Sequence, residues 1–443
     1  MVACFALRSR ISNQGLCMKV WVVCAGEMLP LDKGGQRLMR AGLLVEALRA
    51  RQHDVVWWTS AFDHVAKRKR AVAERALPNG ACIELLGGMA YSKNISLRRL
   101  INHAQLAREF MRKARAAERP DLVFCCWPTI ELGLASVRYG QREGVPVVLD
   151  VRDLWPDLFL EVLPEYLRFP GRTALAPYFV ATRSAFSKCT AITGISENYL
   201  RWGLSYAARS SNWRDAVFPL GCQTPSYSPA DVDAQLPSLR EKGVDDSKLV
   251  CWFVGSFGET YDLEPVIAAA RAMQNGGFHG IQFVLSGVGE NGPRWQKLAQ
   301  GLPNVVFTGW LNARQIACMM QIARVGLAAY RKNAPQGLPN KIFEYMSAGL
   351  PILSSLSGET EILLRKQDCG LSYLPGDNKS FLESLTLLLS DGARLLKYAH
   401  NSRRAFQTWY SASSLYPRLV RHLEAIVDDA ASLSGPNSLH STS

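Results

Sequence analysis

Short, almost unbroken apolar runs recur along this chain, and between them apolar residues return every three or four positions. "KVWVVCAG" (19–26) is the first run, and "QRLMRAGLLVEALRARQ" (36–52) is the helix-like segment after it. "DVVWWTS" (54–60), "ACIELLGG" (81–88), "DLVFCCWP" (121–128) and "VPVVLDVRD" (145–153) follow. A strand that is apolar on both faces has to be covered on both faces, and helical crossovers supply that cover. The pattern restarts further on with "LVCWFVGSFG" (249–258), "IQFVLSG" (281–287), "VVFTGW" (305–310), "VGLAAY" (325–330) and "PILSS" (351–355). We therefore expect an α/β fold of two Rossmann-like parallel-sheet domains facing across a cleft. Ligands in such sheets bind beyond the carboxyl ends of the strands.

The expected boundaries follow the changes in composition. Residues 1–17 read as an extension of little structural role or a misplaced start. Their apolar block is short and Arg8 and Arg10 come after it, which is not the order of a secretory signal. The first domain takes 18–222. A polar, Pro-rich linker spans 223–247, and the second domain takes 248–410. An amphipathic helix over 411–430 is expected to return to the first domain, and 431–443 reads as a disordered tail.

Eleven cysteines, an odd number without C-x-x-C, speak against a disulfide framework and against structural zinc. No apolar run reaches the roughly 18 residues of a membrane-spanning helix. Charge is unevenly placed. Residues 1–225 hold 31 Lys/Arg against 19 Asp/Glu, and residues 226–443 hold 20 against 19. The first half thus suits an anionic partner. "SLRRLINHAQLAREFMRKARAA" (96–117) reads as an amphipathic helix with Leu97, Leu100, Ile101, Ala104, Ala107, Phe110, Met111 and Ala114 on its apolar stripe. Its basic side can face anionic lipid. No aromatic stacking array or zinc motif supports nucleic acid, so none is expected as a partner.

Several residues at predicted strand ends carry chemistry. In "LPNKIFEYMSAGLPI" (338–352), Asn340 is placed to cap a helix after Pro339, and Gly349 and Pro351 stop it. Ile342, Phe343 and Met346 make its core face, while Lys341 and Glu344, three apart, share the other. The free N–H groups of such a helix start favour phosphate. A carboxylate one turn in can accept from two ribose hydroxyls, and the plainer alternative is a surface ion pair. Gly34-Gly35, followed by Arg37, lets the backbone approach a ligand. Asp150, Arg152 and Asp153 emerge at the end of a buried strand, where Arg152 and Asp153 either touch substrate or pair with each other. Gly358 precedes another helix start, with Glu359 behind it.

Three motifs do not carry function. Gly287, Gly289 and Gly292 spell G-x-G-x-x-G, yet no Asp or Glu occurs from 291 to 343 to hold a ribose, so a dinucleotide cofactor is not expected. Asp231-Val232-Asp233 lies in the Pro-rich stretch and reads as a solvated loop. The seven histidines show no metal-ligand spacing. Neither cofactor nor metal is expected.

"LPNKIFEYMSAGLPIL", together with "VRDLWPD" (151–157), "TGIS" (193–196) and "SGVGENGP" (286–293), resembles the retaining, nucleotide-sugar-dependent glycosyltransferases of family 4, which have the GT-B fold. The likeness spans roughly residues 18–430. Within the family it is nearest to bacterial surface-polysaccharide enzymes of the fucosamine transferase type. The resemblance implies that Glu344 binds the ribose and that Gln336 stands where relatives carry a sugar-contacting Glu. It assigns Asp153, Arg152 and Gln336 to catalysis. It assigns Asn340, Lys341, Gly255, Ser256, Gly287, Gly309 and Trp310 to substrate, with Gly34, Gly35, Arg37, Gly358 and Glu359. Relatives clamp the diphosphate with an Arg and a Lys where "FVGSFGETYDLE" has Ser256, Glu259 and Thr260. That role passes to Lys341, to Arg331 or Lys332, and to backbone N–H groups.

The implied activity is transfer of a hexosyl or N-acetylaminosugar unit from a nucleotide sugar, with UDP the expected nucleotide, without metal. The acceptor would be a polyprenyl-diphosphate-linked or other saccharide in cell-surface polysaccharide synthesis. The implied place is cytoplasmic and peripheral, at the inner face of the cytoplasmic membrane, on an anionic surface. Three alternatives remain open: an inverting transferase with Asp153 as base, a nucleotide-sugar epimerase of the same fold, and a non-catalytic subunit of an assembly complex.

Overall fold

The apolar runs become the strands of two wholly parallel sheets. The computed structural model describes residues 11–12, 15–32, 38–70, 76–93, 96–161, 163–223, 227–334 and 336–433. The chain divides into two compact units, one of residues up to Leu220 and from Leu415 on, the other of Gly221–Ser414.

In the first unit the strands are β1 (Lys19–Val23), β2 (Asp54–Ser60), β3 (Cys82–Leu86), β4 (Leu122–Trp127), β5 (Val147–Val151), β6 (Ala191–Gly194) and β7 (Ala216–Val217). They lie in the order β7-β6-β5-β4-β1-β2-β3. β1 pairs with β4 at Val20↔Leu122 and with β2 at Val20↔Val55. The strand order therefore reverses between β1 and β4. Helix α1 (Arg40–Ala50) follows β1, and α2 (Leu97–Ala114) lies between β3 and β4. Trp21, Trp58, Phe110 and Tyr139 fill this core, with ring centroids 4.8–6.2 Å apart.

The second unit holds β8 (Leu249–Val254), β9 (Ile281–Ser286), β10 (Val305–Gly309), β11 (Val325–Ala328), β12 (Ile352–Ser354) and β13 (Gly370–Ser372). Their order, β10-β9-β8-β11-β12-β13, reverses between β8 and β11. Helices α3 (Asn340–Ala348) and α4 (Glu359–Gln367) sit on either side of β12 in sequence. Both sheets have the doubly wound arrangement of Rossmann-like domains, and the reversal point is where such sheets leave a crevice. The expected GT-B class of fold, α/β with two such domains, is what the chain has.

The last helix, α5 (Ala412–Leu433), buries Leu415, Tyr416, Leu419, Val420, Leu423, Ile426 and Val427. From Leu415 onward it belongs to the first unit. Tyr416 Oη donates to Leu220 O at 2.9 Å, and Arg51 pairs with Glu424 at 2.8 Å. Residues 434–443, most of the expected tail, lie outside the described residues.

Three expectations need correction. The stretch read as a linker carries two short helices, Pro229–Asp233 and Leu236–Glu241, whose Val232 and Leu239 are buried. The Asp231-Val232-Asp233 motif is thus on a helix. Within the stretch read as an extension, Ile11–Ser12 pairs antiparallel with Gly15–Leu16. Finally, α2 is rotated relative to the predicted stripe. Leu97 and Ile101 are exposed, while Asn102, His103 and Leu106 face inward with Phe110 and Ala114. The inward polar positions are tolerated because Asn102 Nδ2 donates to Met89 O at 2.8 Å and His103 faces Glu131.

Candidate functional site

At the end of β8 the chain turns through Gly255, and at the end of β11 it reaches Tyr330. An antiparallel bridge joins Tyr261 to Tyr330 across the reversal point. Helix α3 starts beside them. Tyr345 pins it there, its hydroxyl 3.0 Å from Leu327 O and accepting from Val254 N–H at 3.2 Å. The ring packs so closely that a Cβ on Gly326 would come within 2.6 Å of it.

This places Lys341 at the centre of an aromatic cage. Its Nζ lies 3.7 Å from the centroid of Phe253, 4.1 Å from Tyr261 and 5.5 Å from Tyr330. The side chain is buried, and among the described residues the ammonium has no hydrogen-bond acceptor. Burial pushes its pKa well below the usual lysine value, and the charge of Glu344 works in the opposite direction. Ring faces attract a cation, but they do not replace the hydration that burial removes. The sequence reading put Lys341 with Glu344 on the face away from the core. The structure moves Lys341 inward, because the cage closes over the first turn of α3. Asn340 does not cap this helix either, since Pro339 takes the capping position with no side-chain hydrogen bond. The N–H groups of the first turn therefore carry no side-chain cap, as an anion site requires.

The neighbouring strand ends approach the cage. Gly255 is so near that a Cβ there would sit 2.9 Å from Lys341 Nζ. Gly255 N–H donates to Ser286 O, and Gly287 N–H donates to Gly309 O. Gly287 has φ +153°, and a Cβ on it would meet Gly255 O at 1.8 Å. Only glycine fits, which ties the loops after β8 and β9 together. Ser256 and Trp310 are exposed, the latter by 74 %.

Gln336 and Glu359 meet by way of Gly337. A Cβ on Gly337 would lie 2.5 Å from Glu359 Oε2, and Thr360 Oγ1 donates to Gly337 O at 2.6 Å. Among the described residues, the buried Gln336 Oε1 meets no donor. Gly358, with φ +73°, sits at the N-cap of α4. Arg331 pairs with Glu259 at 2.6 Å, so its charge is already matched.

In the first unit the polar residues after β5 mostly serve each other. Asp150 is fully buried and grips Arg40 through two bonds of 2.7 Å, with Thr193 Oγ1 donating at 2.7 Å. Arg152 does not pair with Asp153. It pairs with Glu27, whose carboxylate also accepts from Ala41 N–H at the start of α1. Asp153 accepts from Leu154 N–H at 2.9 Å, and burial holds its carboxyl above the usual range. Gly34, Gly35 and Arg37 lie outside the described residues.

Sequence reasoning missed a cavity of about 110 Å³ at the β1/β4 reversal point, lined by Gly26, Ser60, His64, Arg99, His103 and Trp155 among others. The lining residues come from six separate segments, and only the place of Ser60 and His64 at and just after a strand end could have flagged them. Among the described residues no cluster of His, Cys, Asp or Glu is placed to hold a metal ion, and no helix is long and apolar enough to cross a membrane.

Residues 248–391, which contain the cage, match the family of glycosyl transferases group 1. Over 172 residues the chain is 26 % identical to the O-antigen chain mannosyltransferase C of Escherichia coli. That stretch is 38 % of this chain and 44 % of the relative, so less than half of the relative's length is spanned. Among solved structures it is similar to Anabaena Alr3699/HepE in complex with UDP, with TM-score 0.64 and 15 % identity over 92 % of this chain and 99 % of that one. It is also similar to sucrose-phosphate synthase from Thermosynechococcus elongatus, with TM-score 0.65 and 16 % identity over 93 % and 99 %. At these identities the likeness speaks for the fold.

Proposed function

We propose that the chain is a glycosyltransferase that takes a sugar from a nucleotide donor, with UDP the expected nucleotide, and passes it to a saccharide acceptor in bacterial surface-polysaccharide synthesis. The observation that carries this reading is a buried, unmatched lysine at the reversal point of the very unit that matches the glycosyl transferase family. A diphosphate is the ligand that such a group calls for, since it supplies the missing acceptors and counter-charge together. The E. coli relative's name supports the polysaccharide context.

In this reading the first turn of α3 and Lys341 hold the diphosphate, and Glu344 accepts from the ribose hydroxyls. Gln336, beside the start of α4, offers its unsatisfied oxygen to a sugar hydroxyl. Gly255, Gly287 and Gly309 let the backbone approach the nucleotide. Gly34, Gly35 and Arg37 are assigned to the same substrate. The reaction retains anomeric configuration and needs no metal. The departing phosphate oxygen takes the acceptor proton, and the protein positions the reactants and stabilises the leaving charge. Asp153, whose raised pKa lets it hold a proton, gives a second reading, inversion with that carboxylate as base.

We assign the acceptor to the first unit and place the protein at the inner face of the cytoplasmic membrane, with a polyprenyl-diphosphate-linked saccharide as acceptor. Tyr166 and Phe169 on the helix Glu165–Ala174 and Val180 on the next helix are 67–82 % exposed, amid Arg168, Arg172 and Arg183. Exposed aromatics among arginines suit an anionic lipid surface.

The test is a thermal-shift screen against UDP, GDP and their hexose conjugates, followed by product analysis. Stabilisation by one nucleotide sugar and an α- or β-configured product by NMR are the expected results, and the configuration separates retention from inversion. A chain that no nucleotide stabilises would overturn the donor assignment.

A further inference from the structure

We infer that the groove between α2, the helix Ile130–Glu143 and the helix Ala176–Phe186 is a docking surface for an acidic amphipathic helix of a partner protein. This surface owes its character to shape and charge and is independent of the transferase reading.

The floor of the groove is apolar. Ala104, Ala107 and Met111 of α2 line it with Leu134 and Ala135 of the second helix and Ala181 of the third, around a volume of about 650 Å³. Most of these side chains are single methyl groups, so a guest helix can approach closely. Positions 97, 101, 104, 108, 111 and 115 follow one another along one face of α2, three or four apart. Leu97 and Ile101, 77 % and 46 % exposed, therefore continue the floor towards the start of α2. From Leu97 to Arg115 this stripe runs about 27 Å, the length of five helical turns. Apolar side chains left open in line with a groove mark a surface built to be covered.

The walls are cationic. Arg108, Arg112 and Arg115 rise from α2, and Arg138 rises from the helix Ile130–Glu143. Arg112 is matched by Glu109 at 2.6 Å. Arg108, Arg115 and Arg138 are exposed and form no ion pair among the described residues. Glu131 also lines the groove, with the Tyr178 hydroxyl hydrogen-bonded to it. Four arginines against these two carboxylates, both taken as charged, leave a surplus of two positive charges. The surplus is spread along the groove, since Arg108 and Arg115 stand about 10 Å apart on the helix. That spread selects the occupant. A phospholipid carries its charge at one end, and a flat bilayer is met by protruding side chains such as Tyr166 and Phe169 rather than by a recess. A helix whose apolar stripe is flanked by Asp and Glu along its whole length has the layout of this groove. A second copy of this chain does not, because its net charge of +13 repels it from a cationic face.

The experiment titrates the full-length chain, by fluorescence anisotropy, with a labelled synthetic peptide of about 18 residues, enough for five turns. The peptide carries leucines at i, i+3, i+4 and i+7 and glutamates on both flanks. A peptide of the same composition in shuffled order is the control, and phosphatidylglycerol vesicles, read by co-sedimentation, are the lipid arm. The ordered peptide should bind at least about tenfold more tightly than the shuffled one. Arg108→Glu combined with Arg138→Glu should weaken it about tenfold or more. Ala104→Trp, which fills the floor and leaves every charge in place, should do the same. Lys366→Glu with Lys379→Glu, an equal change of charge on exposed lysines of the second unit, should leave the affinity unchanged. Equal binding of the two peptides, or an affinity untouched in the arginine pair, would overturn the surface. So would vesicle binding that the arginine pair abolishes while the ordered peptide fails to bind, which would give the groove to lipid. Melting temperatures of the same samples report folding, and the arginine pair, at exposed positions, carries the test by itself if Ala104→Trp does not fold. UDP-induced stabilisation, also read there, should be the same in every variant. Its absence throughout sinks the donor reading and leaves the docking surface standing.

Discussion

The ammonium of Lys341 stands between the rings of Phe253 and Tyr261, 3.7 and 4.1 Å from their centres, and reaches no acceptor of its own. An amine so placed costs stability when nothing is bound and contributes binding energy when an anion arrives. That single relationship sets the first two predictions.

Lys341→Met should lower kcat/KM for the nucleotide donor about 100-fold, equivalent to about 2.7 kcal/mol. The same variant should be as stable as the wild type or more stable by about 1–2 kcal/mol, because a buried polar group without a partner is replaced by an apolar one of similar shape. Steady-state kinetics beside urea unfolding checks both. A variant that loses stability along with activity would show that Lys341 is a structural residue.

The stability of the wild type should depend on pH through the same group. The folded-state pKa of Lys341 lies well below its unfolded value, so the unfolded chain binds the extra proton. Unfolding free energy from this group therefore rises as pH climbs from the folded pKa to about 10.5, and falls in the other direction. The difference between Lys341→Met and wild type should accordingly shrink as pH is raised from 7 towards 10.5. Urea midpoints measured at pH 7, 8.5 and 10 would show it, and a constant difference would contradict the burial.

Glu344→Ala should raise KM for the donor tenfold or more, with a smaller change in melting temperature, since the residue is only partly buried. Calorimetric titration with UDP is the direct check. Unchanged UDP affinity would remove the ribose assignment while leaving that of Lys341 in place.

Gly287→Ala should destabilise the second unit by about 2–4 kcal/mol. The new methyl group would collide with the carbonyl of Gly255, and the backbone is held at φ +153°. Because the same loop lines the cage, donor affinity should fall in step with stability. Thermal unfolding with and without UDP measures both.

Arg40→Met should cost about 3–5 kcal/mol by leaving the fully buried Asp150 without its partner. The double variant with Asp150→Leu should recover most of that loss, since removing both charges also removes the desolvation penalty. A double-mutant cycle in urea separates the two contributions.

The strands were legible in the sequence because they rest on periodicity, which each short segment displays by itself; the strand orders and their reversal points were not, since they come from pairings between distant segments. The site was legible only in part. The residues of "LPNKIFEYMSAGLPI" were found, but Lys341 read as a surface group because a lysine on the first turn of an amphipathic helix usually is one. Its burial comes from Phe253, Tyr261 and Tyr330, which are separated from it by 11 to 88 positions and brought together by the parallel pairing of β8 with β11. Arg152 was misread for the same reason. Its partner, Glu27, is 125 residues away, and no local pattern announces it. The cavity at the β1/β4 reversal point, with walls from six segments, left no trace in local composition.

The route of the last helix bears on how the protein is made. Because α5 supplies Leu415, Tyr416, Leu419 and Leu423 to the first unit, that unit's core is not finished until the whole of the second has been translated. A ribosome that has synthesised the first 220 residues has produced seven strands whose apolar surface still lacks part of its cover. The nascent first half must therefore wait, exposed, while its neighbour emerges and folds. Chaperone occupancy on the growing chain should persist until the C-terminal helix clears the exit tunnel.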